Sequence, residues 1–270
     1  MRSRTIALLT DFSLKDPFVS MMKAVIRSIN PNVEIIDISH DVSKFDIYEA
    51  AFILYGSHKY FPQNTIFLVV VDPGVGTGRS VLTVKTERHI FIAPDNGVLY
   101  PIVKEYGDSA TIYVIDEDKI AYTPKSFTFH GRDVFAPLAA YISLGYPLTY
   151  LGKVTTSNSI VKLKWVKPTI KNNVVLGQIV YIDSFGNIVT NIPVNIIPWI
   201  KTCKLLRIKV EGKVGEVTAR YVRTFANGKP GELIALEDSF GLLEIAIYED
   251  SAAKKLKVDR GLKVEIRKGE

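Results

Sequence analysis

The chain has 270 residues, 47% hydrophobic and 23% charged, with a formal net charge of +6 at neutral pH. That is enough to bury a substantial core in one large domain or two smaller ones. A single cysteine, Cys203, excludes an intramolecular disulfide and a thiolate metal cage, and the modest, dispersed positive charge argues against nucleic acid as the main partner.

The opening residues MRSRTIALLTDFS hold an apolar run too short for a leader or an anchor, and no later segment approaches the roughly 18 apolar residues of a membrane span. A soluble cytoplasmic protein is the expectation. From residue 5 to about 150, short apolar runs alternate with helical patterns, which predicts an α/β domain with a mostly parallel central sheet. TIALLT, VEIIDIS and TIFLVVVD read as buried strands. Between the first two, Phe18, Met22, Val25, Ile26 and Ile29 fall on one helical face, with Asp16 as the cap and Pro17 in the first turn. A second helix follows over SKFDIYEAAFILYGSHKYF, with a capping pattern from Ser43 to Asp46.

The stretch VVVDPGVGTGRS, residues 69 to 80, has the glycines of a phosphate-binding loop but lacks its spacing and its lysine. SVLTVKT and HIFIAPDNG follow it with strand character, so no helix N-terminus is offered to a phosphate. A turn explains the glycines and leaves Asp72 and Arg79 unexplained. RDVFAPLAAYISLG, with Pro137 near its start, is the last helix of this region. Residues 152 to 173 lose helical periodicity and read as a linker. Beyond them, VLGQIVYIDSFGNIVTNIP, KLLRIKVEGKVGEVTARYVRTF, GELIALEDS, LLEIAIYED and LKVEIRKGE are short strands of a smaller all-β domain, a barrel or a sandwich. The division expected is 1–165 and 166–270, with no internal repeat.

Asp11, Asp72, Asp95 and Asp183 each stand where an apolar strand runs out. Ligands of open α/β sheets bind outside the carboxyl ends of the strands, so the first three are candidates for one crevice, although aspartate is also a common turn residue. His130 precedes Arg132 and Asp133 in FTFHGRD, where a histidine is either a structural hydrogen-bonding group or a catalytic one. His40, His58 and His89 are scattered, so no histidine-built metal site is expected, while a carboxylate-bound divalent ion stays open.

In order along the chain, TDF (10–12), ISHDV (38–42), VVVDPGVGTGRS (69–80), APDNG (93–97), FHGRD (129–133) and IDSFGNIVTNI (182–192) resemble the S-adenosyl-L-methionine (SAM) hydrolases, or SAM hydroxide adenosyltransferases, which are related to fluorinases and chlorinases. The resemblance implies an N-terminal α/β domain, a C-terminal β-barrel and a trimer whose active sites lie between subunits. It implies SAM as substrate rather than cofactor, no metal, and displacement of methionine from the ribose C5′ by an activated water. Asp72, Arg79 and His130 match the family's water-activating group. Asp11 matches a ribose-binding position, Asp183 and Ser239 the contacts to the amino and carboxylate ends of methionine, Phe185 and Asn187 the adenine contacts, and Phe45 an aromatic near the ligand. Two departures stand out. Ser13 replaces the glycine of the usual TDFG, and Asp183 is one residue closer to Phe185 than in the halide enzymes. The alternatives are a halide-transferring relative, a SAM-binding sensor without turnover, and a nucleic-acid-binding module, for which ARYVRTF is the only suitable stretch.

Overall fold

The computed structural model describes residues 5–120, 125–164, 166–213 and 215–269, so the first four residues of the leader reading and Trp165 at the expected boundary lie outside it. The chain divides into two compact units, Met1–Leu163 and Lys164–Glu270. No helix among the described residues is long and apolar enough to cross a membrane.

The first unit begins β1 (Thr5–Thr10), α1 (Phe18–Ile29), β2 (Glu34–Ser39), α2 (Ile47–Ser57) and β3 (Ile66–Val70). It continues through β4 (Val81–Lys85), β5 (Ile90–Pro94), α3 (Tyr100–Tyr106), β6 (Thr111–Ile115), α4 (Ala136–Ser143), α5 (Leu148–Leu151) and β7 (Gly152–Thr155). Strand order is β2-β1-β3-β5-β4-β6-β7. The strands β2, β1, β3 and β5 are mutually parallel. Antiparallel β4 turns β6 to the same direction, so only β4 and β7 oppose the rest. The sheet is mostly parallel, as its alternating strands and helices require.

Burial on both faces explains why β3, and β1 between its terminal threonines, are apolar. Ile6, Leu8, Ile66, Leu68 and Val70 meet Met22, Val25 and Ile26 of α1 and the apolar residues of α4. Ala7, Leu9, Phe67 and Val69 face the other way and are equally buried. The strand VEIIDIS departs from expectation: β2 is an edge strand, intermediate or exposed along its whole length. Asp16 does not cap α1, because Pro17 takes the N-cap position without a side-chain hydrogen bond. The cap of α2 is Asp46, whose carboxylate accepts the Glu49 N–H, and the Glu49 carboxylate in turn accepts from Ser43 N–H. Residues 152–155, expected in a linker, instead form β7 at the far edge of the sheet.

His58 and His89 pack edge-on against each other and against Phe91, away from the strand ends that carry the aspartates. Burial, with the Arg88 charge adding to it, lowers the His89 pKa to about 4, and burial lowers that of His58 against the opposing charge of Glu105. Both pKa values are depressed below their unfolded values. Their stabilisation is therefore present above pH 6.5 and is lost as pH falls below it, for His89 as pH approaches 4. His89 alone should cost about 2–3 kcal/mol between pH 7 and pH 4. Urea melts of wild type and His89→Phe at both pH values check this: the wild type should lose that much more than the variant, and parallel losses would refute it.

The second unit contains β8 (Thr169–Lys171), β9 (Val174–Ile182), β10 (Ile188–Pro193), β11 (Leu205–Val210), β12 (Val217–Tyr221), β13 (Leu233–Glu237), β14 (Leu242–Ile247), α6 (Ala252–Leu256) and β15 (Lys263–Lys268). Its sheet runs β10-β14-β13-β12-β11-β15-β9-β8, and a further pairing of β9 with β10 closes seven strands into a barrel. Inward residues such as Ile188, Leu206, Ile208, Ala235, Leu243, Ile245 and Ile266 fill it. The β8 strand, read as linker, extends the sheet from β9 outside the ring.

The tetrapeptide DSFG occurs twice, at 183–186 and 238–241, which corrects the expectation of no internal repeat. Both copies are hairpin loops with the same bonding. Asp183 Oδ1 accepts the N–H groups of Phe185 and Asn187 at 3.0 and 2.8 Å. Asp238 Oδ1 accepts those of Phe240 and Leu242, both at 2.8 Å.

Candidate active site

The parallel order places β1 between β2 and β3, so the chain leaves β1 on one side and returns on the other, and the carboxyl ends of β1 and β3 open a crevice there. Asp72 stands just beyond β3. The loop it begins folds back through Val75 N–H to Asp72 C=O and Thr77 N–H to Gly74 C=O, bringing Arg79 against Asp72. Arg79 Nε and Nη2 both donate to Asp72 Oδ2, at 2.9 and 2.7 Å. The two side chains are 8% and 5% exposed, so the pair is screened little by solvent.

His130 arrives from a segment 51 residues later, and its Nδ1 lies 3.0 Å from Arg79 Nη2. A guanidinium has no acceptor, so Nδ1 must accept, which assigns the proton of the neutral ring to Nε2. His130 caps a π turn, Gly131–Phe135, that leads into α4. Arg79 also stacks over the Phe135 ring with its carbon 5.1 Å from the centroid. Phe12, Phe18 and Phe129 meet edge to face beside this group. With Asp72, Val75, Thr128 and His130, these rings line a cavity of about 200 Å³.

Close approach explains one of the loop's three glycines, Gly76. Its φ is +76°, and a Cβ there would lie 2.5 Å from the Phe127 carbonyl oxygen, in the segment that carries His130. The loop therefore lies flat against that segment, and its glycine serves close approach rather than phosphate binding.

Asp11 sits at the end of β1 and is buried. Its Oδ2 accepts the Phe45 N–H at 2.9 Å, and Lys44 donates to its backbone carbonyl. Phe45 has φ +65° and is 68% exposed. Asp11 thus holds a strained aromatic at the rim of its own loop. Ser13 keeps the left-handed conformation of a glycine, φ +63°, and its N–H donates to His40 C=O at 2.6 Å. Asp95 stands apart from Asp11 and Asp72 in its bonding, with Oδ1 accepting the Val161 N–H at 2.9 Å. In the barrel unit, Asp183 and Asn187 are joined by Asn187 Nδ2 to Asp183 Oδ2 at 2.9 Å, Phe185 is 78% exposed, and Ser239 is exposed on the second DSFG loop.

Sequence reasoning missed two members of this region. Glu117 Oε1 lies 3.6 Å from Arg79 Nη1, a nitrogen that makes no hydrogen bond among the described residues. Asp133, 1% exposed, takes Ser126 N–H at 2.8 Å and Arg132 Nε at 2.6 Å, tying down both ends of the segment bearing His130. The neighbouring charges in FHGRD were the available signal for Asp133; nothing in DEDKI marks Glu117.

Residues 6–152 match the model of the SAM hydroxide adenosyltransferase N-terminal domain, and residues 177–265 that of the C-terminal domain. An (R)-S-adenosyl-L-methionine hydrolase of Thermus thermophilus is 32% identical, with 97% of this chain and 99% of the relative covered. The same-named protein of Methanocaldococcus jannaschii is 33% identical, covering 97% and 95%. A fluorinase of an Actinoplanes species is 27% identical over 97% of each chain. Among solved structures, a conserved protein of Thermotoga maritima superposes with a TM-score of 0.90 at 41% identity, covering 97% of this chain and 100% of its own.

Proposed function

The chain belongs to the SAM hydroxide adenosyltransferase family, and from that premise we propose that it hydrolyses S-adenosyl-L-methionine to adenosine and L-methionine. The observation that carries the reading is the Asp72–Arg79–His130 group beside an aromatic cavity. Methionine leaves as a neutral thioether and needs no acid, so the demand falls on the nucleophile. Bulk water is a very weak acid and hence a poor nucleophile until a proton is drawn from it. Of the two Asp72 oxygens Arg79 bonds Oδ2 alone, which leaves Oδ1 as the acceptor for a water proton. The fixed guanidinium and the His130 Nε2–H stabilise the hydroxide-like oxygen as it forms. That oxygen bonds to C5′ while the C5′–S pair departs with methionine, and the proton passes through Asp72 to solvent. Orientation of the water in line with sulfur adds to the rate.

In this reading Asp11 takes the ribose hydroxyls and Phe45 borders the ligand. Asp183 and Ser239 meet the methionine end, and Phe185 and Asn187 meet adenine. The exposure of Phe127, 84%, and Phe185, 78%, supports assembly into a trimer that covers the site, which a solution mass of three chains would test. The lone, buried Cys203 suits a cytoplasmic setting.

The test is incubation with SAM of either configuration at sulfur, with chloride or fluoride present, in ¹⁸O-labelled water. Equal amounts of adenosine and methionine with label at the 5′ oxygen are expected. A 5′-halo product would assign the chain to halide transfer, and bound but intact SAM would leave it a sensor.

A further inference from the structure

Among the described residues, Glu244 is the one acid that the proposed reaction does not use and that has a buried oxygen without a hydrogen-bond partner. It lies on β14 between Leu243 and Ile245, which point into the barrel core, so it faces outward, in register with Val189 of β10 and Leu236 of β13. Leu236 belongs to an apolar cluster with Val222, Ile234 and Ala246. Glu244 is nonetheless only 6% exposed, and its Oε1 is buried with no hydrogen-bond partner among the described residues. A buried carboxyl oxygen left unpaired costs free energy, and in a native fold it calls for a functional explanation.

Its position supplies the ligand. Leu242, two residues before it, is bonded to Asp238, and Ile188, next to its partner Val189, follows the Asp183 loop. Glu244 therefore lies between the two DSFG loops. The charged groups facing it are Asp183 from one loop and Asp238 from the other, both acidic, with Glu237 acting on Asp238 from alongside. No cation among the described residues answers these carboxyls.

We propose that Glu244 is a positioning residue behind Asp183 and Ser239 that gives up its proton when the primary ammonium of the ligand's amino-acid end is taken between the two loops. This rests on the reading of the chain as a SAM hydrolase. Burial, with the charges of Asp183 and Asp238 adding to it, pushes the Glu244 carboxyl up to about 7, so in the free protein it is largely uncharged below neutrality. An arriving ammonium favours the carboxylate and expels the proton to solvent. Linkage then makes affinity rise with pH for any ligand that carries the ammonium, and leaves it flat for one that does not.

Dissociation constants measured from pH 5.5 to 8 for S-adenosyl-L-homocysteine, which keeps the amino-acid end but has no sulfonium, and for adenosine, which lacks that end, decide the matter. Wild type should bind S-adenosyl-L-homocysteine about tenfold tighter at pH 8 than at pH 5.5 and adenosine equally throughout. Glu244→Gln should flatten the first profile and weaken binding at pH 8 about tenfold. A slope that survives in the variant, or that adenosine shares, overturns the assignment of Glu244. Flat wild-type binding of both ligands does the same even should the variant fail to fold. If neither ligand nor SAM binds at any pH, the SAM-hydrolase reading falls and this inference with it.

Discussion

Asp72→Asn, Arg79→Ala and His130→Ala are each expected to lower kcat for SAM hydrolysis by about 10²- to 10⁴-fold while changing SAM affinity only a fewfold. Arg79 spends Nε and Nη2 on a single oxygen of Asp72 and shares Nη2 with His130, so the three side chains form one hydrogen-bonded unit, which in the proposed reaction faces the developing negative charge. SAM is a cation in its ground state, and these groups matter most once water acquires anionic character. Single-turnover rates measured beside equilibrium binding separate the two effects, with melting temperatures to confirm folding. Parallel losses in rate and affinity would make the three residues ligand-holding groups instead.

Gly76→Ala should be nearly as damaging, although Gly76 contributes no side chain to the chemistry. An alanine at φ +76° carries a backbone penalty of about 1–2 kcal/mol, and its methyl group meets the Phe127 carbonyl at 2.5 Å. Relief requires the Asp72–Arg79 loop to separate from the His130 segment. A displacement of about 1 Å at a reacting group costs on the order of 10²-fold in rate. Gly78, two residues on, has nothing within 4 Å of its Cβ position, and Gly78→Ala should retain near-normal activity. Equal kcat values for the two variants would remove close approach as the reason for the glycines.

The contrast shows what local sequence can and cannot report. Strands β1 and β3 are legible because both faces are buried, which leaves β3, and β1 between its terminal threonines, apolar. The same reasoning finds the strand in VEIIDIS but overstates its burial, since an edge strand packed on one face still keeps its isoleucines. Asp16 carried a capping letter, but the proline after it holds the chain in its own entry geometry. The π turn at 131–135 left no periodic trace, being a single turn with one residue too many. Aspartates at strand ends were visible individually, whereas the meeting of Arg79 with a histidine 51 residues away is written in no local pattern and was reached through family resemblance. The DSFG pair escaped notice because four residues weigh little until their hydrogen bonds prove identical.

The barrel carries a consequence for biosynthesis. Its ring is completed where β15 inserts between β11 and β9, and β15 is the last of its strands to be made. Until Lys268 has left the ribosome, β11 and β9 each present an unpaired edge of the kind that templates aggregation. The N-terminal sheet, complete by Thr155, has no such wait. A nascent chain therefore carries a finished α/β unit ahead of an open barrel, and stalling within the final strand would yield a sticky, chaperone-dependent species.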